Sequence, residues 1–142
     1  ARAYDELGQI DLAIEALEQY WRRGGYEPTA LRRLATWFAE AERTADSIAV
    51  MSDALLVSPL DDDLHIQLGG WFLDEEMPEL ALREFEASLA MNPHDQAAAY
   101  YRLATAYQQL GDRASTLEHL LYALEIAPHY REAQQLLLEI AR

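Results

Sequence analysis

A period of 34 to 35 residues runs through this chain. Pro59, Pro93 and Pro128 each follow an apolar helical stretch, and the spacings between them are 34 and 35 residues. Two Trp-Phe doublets, at 37–38 and 71–72, are also 34 residues apart. Because independent markers agree on one period, the sequence predicts a stack of repeated supersecondary units.

Each period contains two amphipathic helices joined by a short turn. Apolar residues such as Leu31 and Leu34 recur at three- and four-residue steps. Gly8 and Gly111 are expected just past helix ends, where a left-handed cap favours glycine, and Asp112 is a natural N-cap. The pattern predicts a helical remnant at 1–7, no strand, and helices at 9–23, 28–41, 45–57, 62–74, 78–91, 96–109, 113–126 and 130–141.

The unit that ends at Pro128 carries the most complete pattern. Its first helix has a large residue, Leu, a small residue and an aromatic one, and its second helix has small, bulky and small residues before the proline. These residues are Tyr100, Leu103, Ala104 and Tyr107, then Thr116, Leu120 and Ala123. The other units match less fully. The unit at 62–95 matches through Leu68, Gly69, Phe72, Ala81, Phe85, Ser88 and Pro93, and the unit at 28–61 matches through Leu31, Leu34, Ala35, Phe38, Ser47, Met51, Ala54 and Pro59. The partial first unit matches through Tyr4, Gly8, Ala13 and Leu17.

Together these positions resemble the tetratricopeptide repeat (TPR) family. The resemblance implies an all-α fold, a right-handed α-solenoid of antiparallel helix pairs with about three full repeats, a partial first repeat and a C-terminal capping helix. A single TPR-like domain is expected over 1–142. Its parts are a partial repeat at 1–27, repeats at 28–61, 62–95 and 96–130, and the cap at 131–142. Since the chain starts inside a unit and without Met, we expect a piece of a longer, bacterial protein.

The chain departs from the family pattern at three positions that affect local structure. Glu42 and Glu76 replace the turn glycine of their units, so those turns must differ or be strained. Tyr20 occupies a place where the family prefers alanine.

Charge narrows the class of partner. The chain has 25 acidic residues, 11 arginines and no lysine, which gives a net charge of −14. Binding to nucleic acid or to an anionic membrane surface requires a positively charged patch, so the net charge argues against both partners. No apolar run reaches the roughly 20 residues of a membrane span. The acidity indicates either an arginine-biased proteome or a basic partner. Residues 62–95 carry nine acidic residues and a single basic residue, Arg83. This acidic cluster is interpreted as a solvated face, a docking patch for a basic partner or a divalent-cation site.

Nothing in the sequence indicates an enzyme or a cofactor. Cysteine is absent, and a cysteine-free chain fits a reducing cytosol and an oxidising periplasm equally. His65, His94, His119 and His129 lack the spacing of a zinc site, and no catalytic triad or phosphate loop appears. Trp37 and Trp71 are interpreted as inter-repeat core, with ligand stacking as the other reading.

The resemblance places ligand contacts on the inward face of the first helix of each pair. The matching residues form a partner-binding groove: Arg32, Arg33, Thr36, Glu40, Asp63, Ile66, Gln67, Gly70, Asp74, Tyr101, Arg102, Thr105, Gln109 and Gln135. Such a surface is expected to hold a protein segment, as an extended peptide or an amphipathic helix. The alternative is an architectural spacer, or self-association through the truncated first unit and its apolar residues Ile10, Ile14, Leu17 and Trp21.

Overall fold

The structure is a computed structural model that describes the backbone of residues 2–142 and the side chains of residues 8–142. Eight helices and no strand occur within that range, and 80% of the chain is helical, which confirms the all-α prediction. The helices are α1 Arg2–Arg22, α2 Pro28–Glu40, α3 Thr44–Val57, α4 Asp62–Asp74, α5 Pro78–Ala90, α6 Gln96–Leu110, α7 Arg113–Ile126 and α8 Arg131–Ala141.

The predicted break at Gly8 is wrong, because α1 runs through it as one helix. Gly111 has the left-handed φ of 82°, and Asp112 after it accepts a hydrogen bond from the Ser115 amide at 3.1 Å. Gly8 is followed by Gln9, whose side chain is a poor N-cap, so the i to i−4 hydrogen bonds continue. Tyr4, the other first-helix marker of this unit, has a side chain outside the described residues.

Three helices begin at carboxylates that satisfy free amide groups. Glu27 accepts hydrogen bonds from the Thr29 and Ala30 amides at 3.2 and 2.8 Å. Asp95 caps α6 through the Ala98 amide at 3.0 Å, and Asp112 caps α7 as predicted. Helix α5 instead starts with Pro78, whose missing N–H costs nothing at this position.

The chain divides into two compact units. The first, residues 1–64, contains α1 to α3 and the start of α4. Helices α2 and α3 pack as a pair, and α1 packs against α2. The core of this unit consists of fully buried apolar side chains: Leu31, Leu34, Ala35, Phe38, Val50, Met51 and Ala54.

The second unit, residues 65–142, contains the rest of α4 and helices α5 to α8. Helix α6 packs against both α5 and α7, and α8 packs against α7. Ala133 and Leu136 of α8 are buried in a cluster with Ala104, Leu120 and Ala123. The exposed residues of α8 are mostly polar and include Glu132, Gln135 and Glu139, and Arg142 just after the helix is also exposed.

The turns that lack glycine still adopt the glycine conformation. Glu42 has a φ of 60° and Glu76 a φ of 57°, in the left-handed region that Gly111 occupies. A side chain in this region crowds the following carbonyl, at a cost of about 1–2 kcal/mol. Of the two possibilities that the sequence left open, the strained turn is the one observed.

Candidate partner-binding faces

In the first unit, the predicted face is occupied largely by contacts within the chain. The Arg32 guanidinium lies 3.5 Å from the Asp63 carboxylate, and both side chains are exposed. The Thr36 hydroxyl donates to the Arg32 carbonyl at 2.9 Å. The Arg33 guanidinium carbon lies 6.0 Å from the centre of the Trp37 ring, and Glu40 is exposed. Since an exposed ion pair contributes only about 0–1 kcal/mol, this arginine and aspartate remain available to a partner.

In the second unit, α4 presents Ile66, Gln67, Gly70 and Asp74 along one stripe. The first three are half-buried and Asp74 is exposed. Their three- and four-residue spacing places them on one side of the helix. The opposite side carries Leu68, which is buried. Leu68 therefore lies on the core side of this helix, and the four predicted residues lie on its other side.

Helix α6 contacts α4 through a side-chain hydrogen bond. The Gln109 side-chain amide donates to the Leu73 carbonyl at 3.0 Å, which joins the C-terminal ends of the two helices. The Thr105 hydroxyl donates to the Arg102 carbonyl at 2.6 Å. Gln109 and Thr105, predicted as ligand contacts, thus have polar groups already engaged within the chain.

The remaining predicted residues of α6, Tyr101 and Arg102, lie beside an aromatic partner that the sequence did not reveal. The Tyr101 and Tyr130 rings meet edge to face, with centroids 5.4 Å apart. Burial, with the Glu132 and Glu139 carboxylates, raises the pKa of Tyr101 above 10.0. Burial also raises the pKa of Tyr130, which the charge of Arg102 partly lowers. This end of the unit therefore combines two tyrosines, an arginine and carboxylates within interaction range.

Tyr130 follows the repeat-closing Pro128 by two residues, outside the helical register used to predict the groove. Aromatic side chains favour aromatic neighbours in general, so the sequence did not indicate which residue Tyr130 would contact. The structure shows that its ring partner is Tyr101. Gln135, the predicted contribution of α8, is exposed.

His65 and His119 lie on different helices and make separate contacts within the chain. His65 Nδ1 lies 2.7 Å from the Glu84 carboxylate. His119 Nδ1 lies 2.7 Å from the Ser115 carbonyl, and its ring is 4.9 Å from that of Tyr107. Among residues 8–142, no group of three or more histidine or acidic side chains is placed to hold a metal ion.

One known protein family has a sequence model that matches two parts of the chain. The family model described as "Tetratricopeptide repeat" matches residues 1–20 and 97–130. These two parts of the chain match the tetratricopeptide repeat. The resemblance seen in the sequence is thereby confirmed. No curated protein matches the chain.

Solved structures support the same fold. A crystal structure of MamA has a TM-score of 0.77 and 19% identity, covering 91% of this chain and 75% of that one. A MamA fragment from Desulfovibrio magneticus RS-1 has a TM-score of 0.74 and 22% identity, covering 92% and 82%. YrrB has a TM-score of 0.78 and 23% identity, covering 94% and 69%. These neighbours are TPR solenoids, which confirms the predicted solenoid of helix pairs.

The fold supports a general role in protein–protein interaction. In the described part of the chain, no helix has the length and apolar character that crossing a membrane requires.

Proposed function

We propose that this TPR protein is a non-enzymatic module that binds an extended protein segment on the inward faces of its first helices. The observation that carries the proposal is the division of α4 and α6 into two sides. Leu68 and Leu103 are buried in the core, whereas Gln67, Tyr101 and Arg102 stay partly accessible on the other side. A row of accessible polar and aromatic groups on a rigid helical scaffold suits recognition of a peptide.

The charges of the face suit a mixed ligand. Arg102 offers a bidentate donor for a carboxylate of the ligand, and Asp74 offers an acceptor for a basic side chain. YrrB is described as a TPR protein with "an unusual peptide-binding site", and its similarity in fold makes a peptide the natural class of ligand to test first. In the first unit, the proposed contacts are Arg32, Arg33, Thr36, Glu40 and Asp63.

Affinity capture with variants tests this function. The wild-type protein, an Arg32→Ala variant and a Tyr101→Ala/Arg102→Ala variant are used to retain proteins from the source-cell lysate. The proposal expects a protein retained by the wild type and lost with the double variant, while circular dichroism shows unchanged helicity. Equal retention by the wild type and the double variant would overturn it. The Arg32→Ala variant reports whether the first unit contributes.

Self-association is the second candidate, because α1 carries exposed apolar side chains. Ile10 is 43% exposed and Leu12 is 66% exposed. Burying such side chains between two copies would remove apolar surface from water. Sedimentation of the wild type and of a Leu12→Glu variant tests this alternative. A concentration-dependent dimer that the variant abolishes would support it, and a monomer at every concentration would exclude it.

A further inference from the structure

The turn that precedes α3 holds an arginine against an aromatic ring. The Arg43 guanidinium carbon lies 4.3 Å from the centre of the Phe38 ring. The same guanidinium lies 2.8 Å from the Asp46 carboxylate and 3.8 Å from the Glu18 carboxylate of α1. A guanidinium is attracted both by the face of an aromatic ring and by carboxylates. This turn is therefore an arginine site that the chain itself fills.

The turn that precedes α7 has the same backbone arrangement with a different residue at the arginine position. The Asp112 amide donates to the Tyr107 carbonyl at 3.0 Å, as the Arg43 amide donates to the Phe38 carbonyl at 2.8 Å. Asp112 and Arg43 are the N-cap residues of α7 and α3. The turn before α7 thus keeps an aromatic ring but carries an aspartate where the earlier turn carries its arginine.

Carboxylates surround the Tyr107 ring. Glu86 on α5 occupies the same position of the preceding repeat's second helix as Glu18 does for the earlier turn. Burial raises the pKa of Tyr107, and the carboxylates of Glu86, Asp112 and Glu118 raise it further. These three carboxylates are therefore within electrostatic range of the ring, and all three residues are exposed.

Within the described residues, no arginine of the chain fills this second turn. Among residues 8–142, no guanidinium lies over the Tyr107 ring, and its three neighbouring carboxylates form no ion pair. Arg113, the next residue after Asp112, lines a small cavity with Ile140 of α8. The His119 ring lies 4.9 Å from that of Tyr107, and Tyr107 is still half-exposed, so part of its side chain remains accessible.

We propose that the turn before α7 receives an arginine side chain of a partner protein, with the guanidinium against the Tyr107 ring and paired with Glu86 and Asp112. Asp112 already accepts hydrogen bonds from Ser115, and each carboxylate oxygen can accept another. Arginine suits the site better than lysine, because its planar guanidinium stacks on a ring and offers several donors at once. The net charge of −14 also attracts a basic partner.

This site uses none of the residues proposed for the inward face, so it goes beyond the proposed function and does not depend on it. The variant Tyr101→Ala/Arg102→Ala separates the two proposals. It is expected to bind a free arginine derivative with wild-type affinity. Loss of that binding in this variant would place the arginine on the inward face and overturn the site before α7.

Blocked amino acids provide defined probes of the site. N-acetyl-arginine amide, N-acetyl-lysine amide and the neutral N-acetyl-citrulline amide, which resembles arginine in shape, are titrated into the ¹⁵N-labelled protein. The backbone amides of Glu86, Tyr107 and Asp112 are expected to shift saturably with the arginine amide, less with the lysine amide and little with the citrulline amide. No shift at Tyr107 with the arginine amide overturns the site, as do equal shifts with the lysine or citrulline amide.

Substitutions test the three groups separately. Glu86→Gln/Asp112→Asn removes both charges while asparagine keeps the N-cap, and it is expected to weaken binding of the arginine amide by about tenfold. Tyr107→Leu is expected to weaken it by about threefold, whereas Tyr107→Phe keeps a ring and should retain the affinity. Glu132→Gln/Glu139→Gln, which removes two exposed charges from α8, is the matched control. Helicity is checked for each variant. Wild-type affinity in Glu86→Gln/Asp112→Asn, or an equal loss in the α8 control, overturns the site.

Discussion

The Trp21 indole N–H donates a hydrogen bond to the Asp53 carboxylate at 2.7 Å, joining α1 to α3 across 32 residues. Both side chains are half-buried. On the preceding turn of α1, Glu18 lies 3.8 Å from the Arg43 guanidinium. The last turns of α1 are thus fastened by polar contacts, whereas Ile10 and Leu12 earlier in the helix remain exposed.

Replacing Asp53 with alanine is expected to lower the free energy of unfolding by about 1.5–3 kcal/mol, since the lost hydrogen bond is to a charged group. Asp53→Asn should lose less, because its amide oxygen still accepts from the indole. Urea unfolding measures both. Asp11→Ala, an exposed change on α1, is the control, and an equal effect of Asp11→Ala and Asp53→Ala would contradict the role of the hydrogen bond.

The repeat period was enough to predict most helix boundaries, because the repeat-closing prolines and the apolar spacing mark the same places. The predicted starts and ends of α2 to α8 lie within one residue of those observed. Gly8 and Gly111 look alike in the aligned pattern, and only the residue that follows distinguishes a capped turn from a continuing helix. For Tyr20, the structure shows its hydroxyl accepting a hydrogen bond from the Glu27 amide at 2.8 Å, a loop contact that the family pattern does not contain.

The strained turns predict stabilising substitutions. Glu42→Gly and Glu76→Gly are each expected to raise the free energy of unfolding by about 0.5–1 kcal/mol. Relief of the left-handed strain, about 1–2 kcal/mol, exceeds the added chain entropy of glycine, about 0.4–1 kcal/mol. Chemical denaturation of each single variant and of the double variant measures the gain.

Two controls bracket that result. Glu79→Gly, in the first turn of α5, is expected to destabilise the fold, because glycine is unfavourable within a helix. Gly111→Ala places a side chain at a φ of 82° and is also expected to destabilise. A loss of stability in both Glu42→Gly and Glu76→Gly would show that these turns carry no strain in solution.

The adjacent glycines of α4 predict opposite changes for one substitution. Gly70→Ala is expected to raise the free energy of unfolding by about 0.5–1 kcal/mol, because alanine favours the helix and its Cβ meets open space. Gly69→Ala is expected to lower it by about 1–3 kcal/mol, because Phe85 must move from a packed core. Thermal unfolding of the pair measures both, and changes of the same sign would contradict the difference in packing.

The candidate face was predictable as a stripe of positions but not as a set of contacts. Helical register predicts Gln67, Gly70 and Arg102 on the inward side, since that prediction depends only on the repeat. Whether an inward side chain is engaged depends on neighbours distant in sequence. Gln109 has its donor satisfied by Leu73, whereas Gln67 has a buried acceptor without a partner in the described chain.

Tyr101 predicts a loss of stability at alkaline pH. Burial, with Glu132 and Glu139, raises the pKa of Tyr101 in the folded protein above the ordinary 10.0. The folded state therefore binds this proton more tightly than the unfolded state, and the resulting stabilisation is complete below pH 10 and is lost as the pH rises through the folded pKa. Tyr101→Phe cannot ionise, so its stability should fall less than that of the wild type between about pH 8 and about pH 11. Urea unfolding at both pH values measures the difference, with the exposed Tyr26→Phe as control. An equal fall in Tyr101→Phe and in the wild type would show that ionisation of Tyr101 does not contribute.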